Sequence, residues 1–121
     1  MIKRIMFKAI WPTAPRDFVA CTTWRELLDG SIIVSTRSAP DSFCPQQKGF
    51  VRGFLHVSGY HIQPHDSLVN DSSVPPGHCR VTLTAHSDLG GSLPASVINM
   101  LATSAPMKIL AAVEDVVTKN K

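Results

Sequence analysis

The chain has 121 residues, of which 44% are hydrophobic and 17% charged, and a formal net charge of +3. This length suits one domain with a real core, and no uninterrupted apolar run approaches the ~20 residues of a membrane span, so a globular domain is expected. The basic residues are spread singly, without interleaved aromatic side chains, which argues against a nucleic-acid-binding platform.

The first half of the chain has the pattern of three strands. FVACTTWREL is rich in β-branched and aromatic residues and runs to the turn signal Asp29-Gly30, after which SIIVSTRS is the hairpin partner. The stretch before them, IKRIMFKAI, alternates, with Arg4 and Lys8 on one face and the apolar set on the other: Ile5, Phe7, Ala9 and Trp11. We therefore predict a half-buried first strand followed by a hairpin.

Further strands are predicted in the second half. FVRGFLHV reads as one strand, and Gly59 permits a bend into YHIQP. A polar excursion over residues 65–78 then leads to CRVTLTAHSDL. This last strand places Cys79, Val81, Leu83 and Ala85 on one face.

After Gly90-Gly91 the hydrophobic period becomes helical, beginning at about Pro94. Ser92 is a candidate helix cap, and Pro106 is expected to kink or split the helix because proline lacks the N–H donor and crowds the preceding turn. The order of elements predicts an α+β fold, in which one long helix covers an antiparallel sheet of five or six strands.

Three cysteines, Cys21, Cys44 and Cys79, make an odd number, and none lies in a CxxC pair. The N-terminal stretch MIKRIMFKAIWP interrupts its apolar run at Lys8, so it is a poor signal peptide. These features are typical of a reducing compartment, and we predict a cytoplasmic protein.

Four strings in this order resemble the C-terminal half of a START domain, the family named for steroidogenic acute regulatory protein-related lipid transfer: WPTAPRDFV, DGSIIVSTRS, KGFVRGFLHVSGYHIQP and CRVTLTAHSDLGGSLPASVINML. The resemblance implies a helix-grip fold, in which a curved antiparallel sheet and a C-terminal helix enclose a tunnel for one lipid. It covers nearly all of residues 1–121 and implies that they form a single partial START-like lipid-binding domain. The elements that normally open such a domain have no counterpart, so we expect a fragment of the fold.

Two strings, WP-x-x-x-RD and GG-x-x-PAS, most resemble the ceramide-transfer branch of the family. In that branch the tryptophan of the first string meets the membrane at the tunnel mouth, and Trp11 matches it. A second membrane tryptophan corresponds to Ser92, which weakens the expected insertion. The resemblance therefore implies membrane contact at Trp11 and Ser92.

The polar positions that hold the ceramide head group correspond to Ile5, Thr36 and Leu83, two of which cannot hydrogen-bond through a side chain. Ceramide selectivity is therefore not expected to carry over. CPQQKGFVRGF instead resembles the branch linked to sterols and bile acids, although the cavity arginine of the steroidogenic proteins falls near Thr22. The predicted lipid contacts are Ile5, Phe7, Thr22, Thr36, Leu83, Val97 and Leu101.

Residues for catalysis or metal binding are sparse. His61 and His65 have helical ligand spacing, but they stand in a strand-like context without the HExxH glutamate, so a surface pair is expected. The adjacent Arg16 and Asp17 are interpreted as a structural ion pair, because a carboxylate beside an arginine is poorly suited to shuttling protons. No catalytic residue, metal or cofactor is predicted.

Two functions remain open at this point. The first is a lipid-binding or lipid-transfer module that meets a membrane transiently and carries ceramide, sterol or phospholipid. The second is a regulatory interaction module of the same fold that has lost its ligand, and an unpaired sheet edge also predicts a dimer or another partner. Enzymatic activity is not expected from either.

Overall fold

A computed structural model describes residues 1–9 and 13–120. They form two compact units, Met1–Gly90 and Gly91–Lys121. Among these described residues, the first unit contains eight strands and two 3-10 turns, and the second contains one helix. The elements are β1 Ile2–Phe7, β2 Arg16–Glu26, β3 Ile32–Ser38, a turn at Asp41–Phe43, β4 Val51–Arg52, β5 Phe54–Leu55, β6 Ser58–Pro64, a turn at His65–Ser67, β7 Cys79–Thr84, β8 Ser87–Asp88 and α1 Ala95–Lys119.

The main sheet has the order β1-β2-β3-β6-β7, with every neighbouring pair antiparallel. The β2–β3 hairpin closes at the predicted Asp29-Gly30 turn, where the Asp29 carboxylate accepts hydrogen bonds from the Ser31 N–H and hydroxyl. Gly30 has a φ of 83°, a conformation that glycine adopts without a Cβ clash. The predicted strand order of the first half is therefore confirmed.

The predicted strand FVRGFLHV is wrong as a single element. It divides at Gly53 into β4, which pairs in parallel with β2, and β5, which pairs with β8 in a separate two-stranded sheet. A Cβ at Gly53 would lie 2.4 Å from the Phe18 ring, so glycine is required where the chain changes partner. Strand β7 ends at Thr84, so Ala85, which was predicted to lie on its apolar face, is outside the strand.

The small core of the first unit lies at the start of β2. Phe18, Val19 and Ala20 are buried, and Val74 of the excursion after β6 is buried as well. Strand β1 differs from the prediction of a buried apolar face, because Ile5 and Phe7 are 38% and 53% exposed. Within the described sheet Phe7 packs only one edge against the Phe18 ring, and much of the surface of both residues stays exposed.

The second unit is a helix of 25 residues that continues through Pro106 without a break, so the predicted split is wrong. Pro94 occupies the N-cap position, and no side chain caps the helix there, so the expectation for Ser92 as a cap is also wrong. The helix is long and apolar enough to cross a membrane by length and composition, a criterion that core helices of water-soluble proteins also meet. The sequence pattern predicts no segment of this length and apolar character, and α1 corrects that expectation.

Candidate functional site

All five lipid contacts predicted in the strands lie on one face of the main sheet. Residues directly opposite in an antiparallel pair share a face, and successive residues alternate between faces. Ile5 is opposite Phe18, Thr22 is opposite Thr36, and Leu83 is opposite Tyr60, which pairs with Val34 on its other side. We call this surface the threonine face; its predicted members are Ile5, Phe7, Thr22, Thr36 and Leu83.

The polar centre of the threonine face is a pair of hydroxyl groups. The Oγ1 atoms of Thr22 and Thr36 are 2.8 Å apart, so one hydroxyl donates to the other. This bond uses one hydroxyl hydrogen, and the second hydrogen and the remaining lone pairs are available to a ligand. A single uncharged polar group of a ligand therefore has a complementary partner here.

Apolar side chains dominate the surroundings of this pair. The register places Ala20, Trp24 and Val34 beside it on the same face, and the Trp24 side chain is 71% exposed. Toward β1, the Phe7 ring packs edge-on against the Phe18 ring with centroids 5.7 Å apart. The threonine face is thus mainly apolar, buried at Phe18 and Ala20 and exposed at Phe7 and Trp24, with hydrogen-bonding capacity near its centre.

The other predicted contacts lie elsewhere in the chain. Val97 and Leu101 belong to the helical unit, where a spacing of four residues places them on one face of α1. Ser92 precedes this helix and is exposed. Trp11 lies outside the described residues, so its role in membrane contact stays a prediction.

Arg16 and Asp17 do not pair with each other, because adjacent strand residues point to opposite faces. Arg16 donates to the carbonyl oxygens of Ala14, Leu89 and Gly90 at 2.6, 3.2 and 3.1 Å. It thereby ties the start of β2 to the segment that follows β8. The sequence interpretation was right that Arg16 is structural and wrong about its partner.

Asp17 is fully buried on the opposite face, which we call the Asp17 face. Its carboxylate accepts from Arg4 Nε at 2.7 Å and from Arg52 Nε and Nη2 at 2.9 and 3.1 Å. Hydrogen bonding from Arg52 lowers the pKa of Asp17, burial opposes this shift, and hydrogen bonding from Arg4 adds to it. Sequence reasoning missed this network, although an aspartate followed at once by the apolar run of β2 was a signal for it.

The histidines and acidic residues of the described segments form no group of three or more that could hold a metal ion. His61 Nε2 lies 3.2 Å from the Ser31 hydroxyl, and His65 Nδ1 lies 2.6 Å from the Val74 carbonyl oxygen. The two histidines of the HxxxH pair thus contact different groups, the Ser31 hydroxyl and the Val74 carbonyl oxygen. Cys21, Cys44 and Cys79 are free thiols.

Each unit has a shallow concavity among the described residues. The first follows the helix from Ile109 to Val117, and the second lies beside Arg52 and Phe54. None of the predicted lipid contacts lines either of them.

Among curated proteins, the chain is 34% identical over 86 residues to StAR-related lipid transfer protein 5 of Mus musculus, an alignment that covers 71% of this chain and 37% of the relative. It is 33% identical over 89 residues to Steroidogenic acute regulatory-like protein 1 of Caenorhabditis elegans, covering 71% of this chain and 30% of that protein. The chain therefore spans about a third of the length of these relatives. Neither is named for ceramide transfer, and the nearer resemblance to that branch is not supported.

Solved structures show the same architecture. The structure of human StAR-related lipid transfer protein 5 matches with a TM-score of 0.80 and 27% identity over 98% of this chain and 53% of that one. Human STARD10 matches with a TM-score of 0.69 and 27% identity over 92% of this chain and 43% of that one. The predicted helix-grip fold is confirmed. The START domain family model matches residues 3–118, and the chain belongs to the START domain family.

Proposed function

We propose that this chain binds one lipid against the threonine face and transfers it between membranes. The hydroxyl pair of Thr22 and Thr36 within an exposed apolar face is the observation that carries the proposal. Relatives named for lipid transfer support the same function. Val97 and Leu101 of the helix remain predicted lipid contacts, and within the proposal no residue has a catalytic role.

The chemistry of the face favours a ligand with a large apolar body and one uncharged polar group. A hydroxyl or carbonyl group can satisfy the threonine pair, whereas a bare charge placed among apolar side chains pays a large desolvation cost. Sterols and other lipid alcohols have this chemistry. Ceramide selectivity is not proposed, because Ile5 and Leu83 offer no side-chain hydrogen bond.

Mass spectrometry of an organic extract of the purified chain tests the proposal directly. A stoichiometric lipid, together with protein-dependent transfer of that lipid between vesicles, is the expected result. Thr22→Val and Thr36→Val should each weaken binding of a lipid with one hydroxyl about 5-fold, the typical worth of a neutral hydrogen bond. Thr82→Val is the matched control, since Thr82 is exposed on the opposite face; equal losses in all three variants would contradict the assignment.

A second candidate, an interaction module, is supported by the strand order. Among the described residues, β1 and β7 are the outer strands of the main sheet, and outer strands offer backbone groups to a partner. This candidate predicts a dimer or a captured protein and no lipid in the extract. The first candidate predicts lipid, with the protein acting as a cytoplasmic carrier that contacts membranes transiently.

A further inference from the structure

Strand β1 is attached to the sheet mainly by its backbone pairing with β2. Its six residues pair in register from Ile2 with Cys21 to Phe7 with Arg16, and it is an outer strand among the described residues. Five of its six side chains are exposed. The exception is Arg4, whose side chain is 26% exposed and reaches Asp17 on the neighbouring strand.

The two arginines that bind Asp17 differ in how firmly they are held. The Arg52 side chain is 8% exposed and also donates to Asp41 Oδ1 at 3.0 Å and to the Cys44 carbonyl oxygen at 2.9 Å. Within the described residues, Arg4 donates through Nε alone and its buried Nη2 has no hydrogen-bond partner, while its guanidinium lies 4.8 Å from the centre of the Phe50 ring. If Arg4 withdraws, Asp17 keeps its Arg52 bonds and Arg4 Nη2 becomes hydrated. The Arg4 side of the network is therefore the side that can open.

Opening at Arg4 would alter the threonine face. Alternation along β1 places Ile5, which follows Arg4 directly, and Phe7 on that face, on the opposite side of the strand from Arg4. Phe7 is also the ring that packs against Phe18. Movement of β1 away from β2 thus removes Ile5 and Phe7, two predicted lipid contacts, from the threonine face. It also exposes the β2 side of that face to solvent.

We propose that Arg4 is a positioning residue whose ion pair with Asp17 holds β1 in place and so limits the rate at which a bound lipid leaves the threonine face. The proposal rests on the proposed function for its ligand. Its geometric part, the hold of Arg4 on β1, stands on the contacts alone. Breaking the ion pair lets β1 separate from β2 at the side of the threonine face, and forming it holds the two strands together.

Arg4→Met tests the proposal because methionine keeps an apolar stem and removes the charged donor. Arg4→Lys restores one positive donor and serves as the rescue variant. Arg37→Met is the matched control, since Arg37 is exposed on the Asp17 face and makes no ion pair or side-chain hydrogen bond within the described residues. Unfolding midpoints of all variants are measured in parallel with the two readouts below.

The first readout is amide hydrogen exchange of the segment 2–7, which reports opening of β1. Arg4→Met should raise exchange there about tenfold, the scale of a hydrogen bond to a charged group, and leave residues 79–84 unchanged. Arg4→Lys should recover part of the protection, and Arg37→Met should match the wild type. Unchanged exchange in Arg4→Met would overturn the hold of Arg4 on β1.

The second readout is the release rate of a loaded lipid into phosphatidylcholine acceptor vesicles. The probes are dehydroergosterol, NBD-ceramide and NBD-phosphatidylcholine, and the rate is followed for each probe that loads. Arg4→Met should release the lipid about 3- to 10-fold faster than Arg37→Met, with a similar unfolding midpoint. Faster exchange with an unchanged release rate would overturn the role in lipid residence. If the wild type loads none of the three, the proposed function and the lipid part of this proposal both fail, while the exchange readout still decides the hold on β1.

Discussion

Asp17 is the buried charge that joins the first strands of the sheet. It receives hydrogen bonds from β1 through Arg4 and from β4 through Arg52, so one carboxylate connects three strands. A buried carboxylate contributes in this way only while its partners remain paired, because an uncompensated buried charge is strongly destabilising.

Asp17→Asn should therefore lower the free energy of unfolding by ~3–5 kcal/mol, since it removes the buried carboxylate that pairs with the largely buried Arg52 guanidinium and leaves that guanidinium only the exposed carboxylate of Asp41 among the described residues. Asp115→Asn is the control: Asp115 is 59% exposed and pairs with Lys119 one helical turn away, so its loss should cost less than about 0.5 kcal/mol. Urea unfolding of both variants gives the comparison. A loss in Asp17→Asn no larger than in Asp115→Asn would contradict the structural role of the network.

The same carboxylate predicts a direction for the pH dependence of stability. The pKa of folded Asp17 is lowered by the hydrogen bonds from Arg52 and Arg4. The contribution of Asp17 to the free energy of unfolding is therefore fully present above the ordinary carboxyl pKa. It is lost as the pH falls through the lowered pKa of the folded state. In Asp17→Asn this acid-dependent part of the unfolding free energy should be absent.

Trp11 carries the membrane prediction. Inserting about 100 Å² of indole surface into a bilayer at ~25 cal/mol/Å² stabilises the bound state by roughly 2.5 kcal/mol, and the neighbouring Lys8 favours anionic head groups. Trp11→Ala should then reduce sedimentation with vesicles several tens of times while the unfolding midpoint stays close to the wild type. A large loss of stability with unchanged vesicle affinity would instead place Trp11 in the core.

At the scale of elements, Gly59 allows β3 and β6 to pair closely. Its φ is 149°, and a Cβ built on it would lie 1.8 Å from the Val34 carbonyl oxygen. Gly59→Ala should cost more than ~3 kcal/mol, because backbone atoms of two strands must separate. Gly30→Ala is the control that measures backbone strain without a clash. Gly30 also has a positive φ, 83°, but nothing lies within 4 Å of its Cβ position. Its expected cost is about 1 kcal/mol, and equal effects on thermal unfolding would refute the steric argument.

The helix α1 is continuous but carries a local weakness at Pro106. Proline cannot donate to the carbonyl one turn earlier, so the first half of the helix should open at a lower free energy than the whole unit. Amide exchange should be faster over 95–106 than over 79–84, and Pro106→Ala should slow it and stabilise the helix by about 1–3 kcal/mol. Pro76→Ala, outside the helix, is the control. Equal protection in both segments would contradict the local weakness at Pro106.

At the scale of the whole molecule, an exposed apolar face makes stability dependent on the ligand. A ligand at 100 times its Kd adds about 2.7 kcal/mol to the free energy of unfolding. Removing bound lipid should therefore lower the unfolding midpoint by about 10 °C, and adding lipid back should restore it. The Thr22→Val, Thr36→Val double variant should show a smaller difference. A midpoint that is indifferent to lipid would favour the interaction module.

Local sequence patterns determined most of the elements. The alternation in IKRIMF, the Asp29-Gly30 turn and the helical period after Gly91 each specify local geometry, because side-chain period and turn chemistry act over a few residues. The resemblance of four strings was specific enough to predict the START fold. It also selected Thr22, Thr36, Ile5 and Leu83, which the register then placed on one face.

Tertiary structure alone decided which side chains meet. No local pattern shows that Asp17 bonds to Arg4 and Arg52 rather than to Arg16, because those partners lie 13 and 35 residues away. In the same way, β4 pairs with β2 only because Gly53 lets the chain pass the Phe18 ring. Pro106 stays within a continuous helix although its local propensity favours a break, and the two threonine hydroxyls become one polar centre only when β2 and β3 are in register. Contacts between distant segments depend on pairing register and on the space that neighbouring strands leave, and neither is encoded in a short stretch of residues.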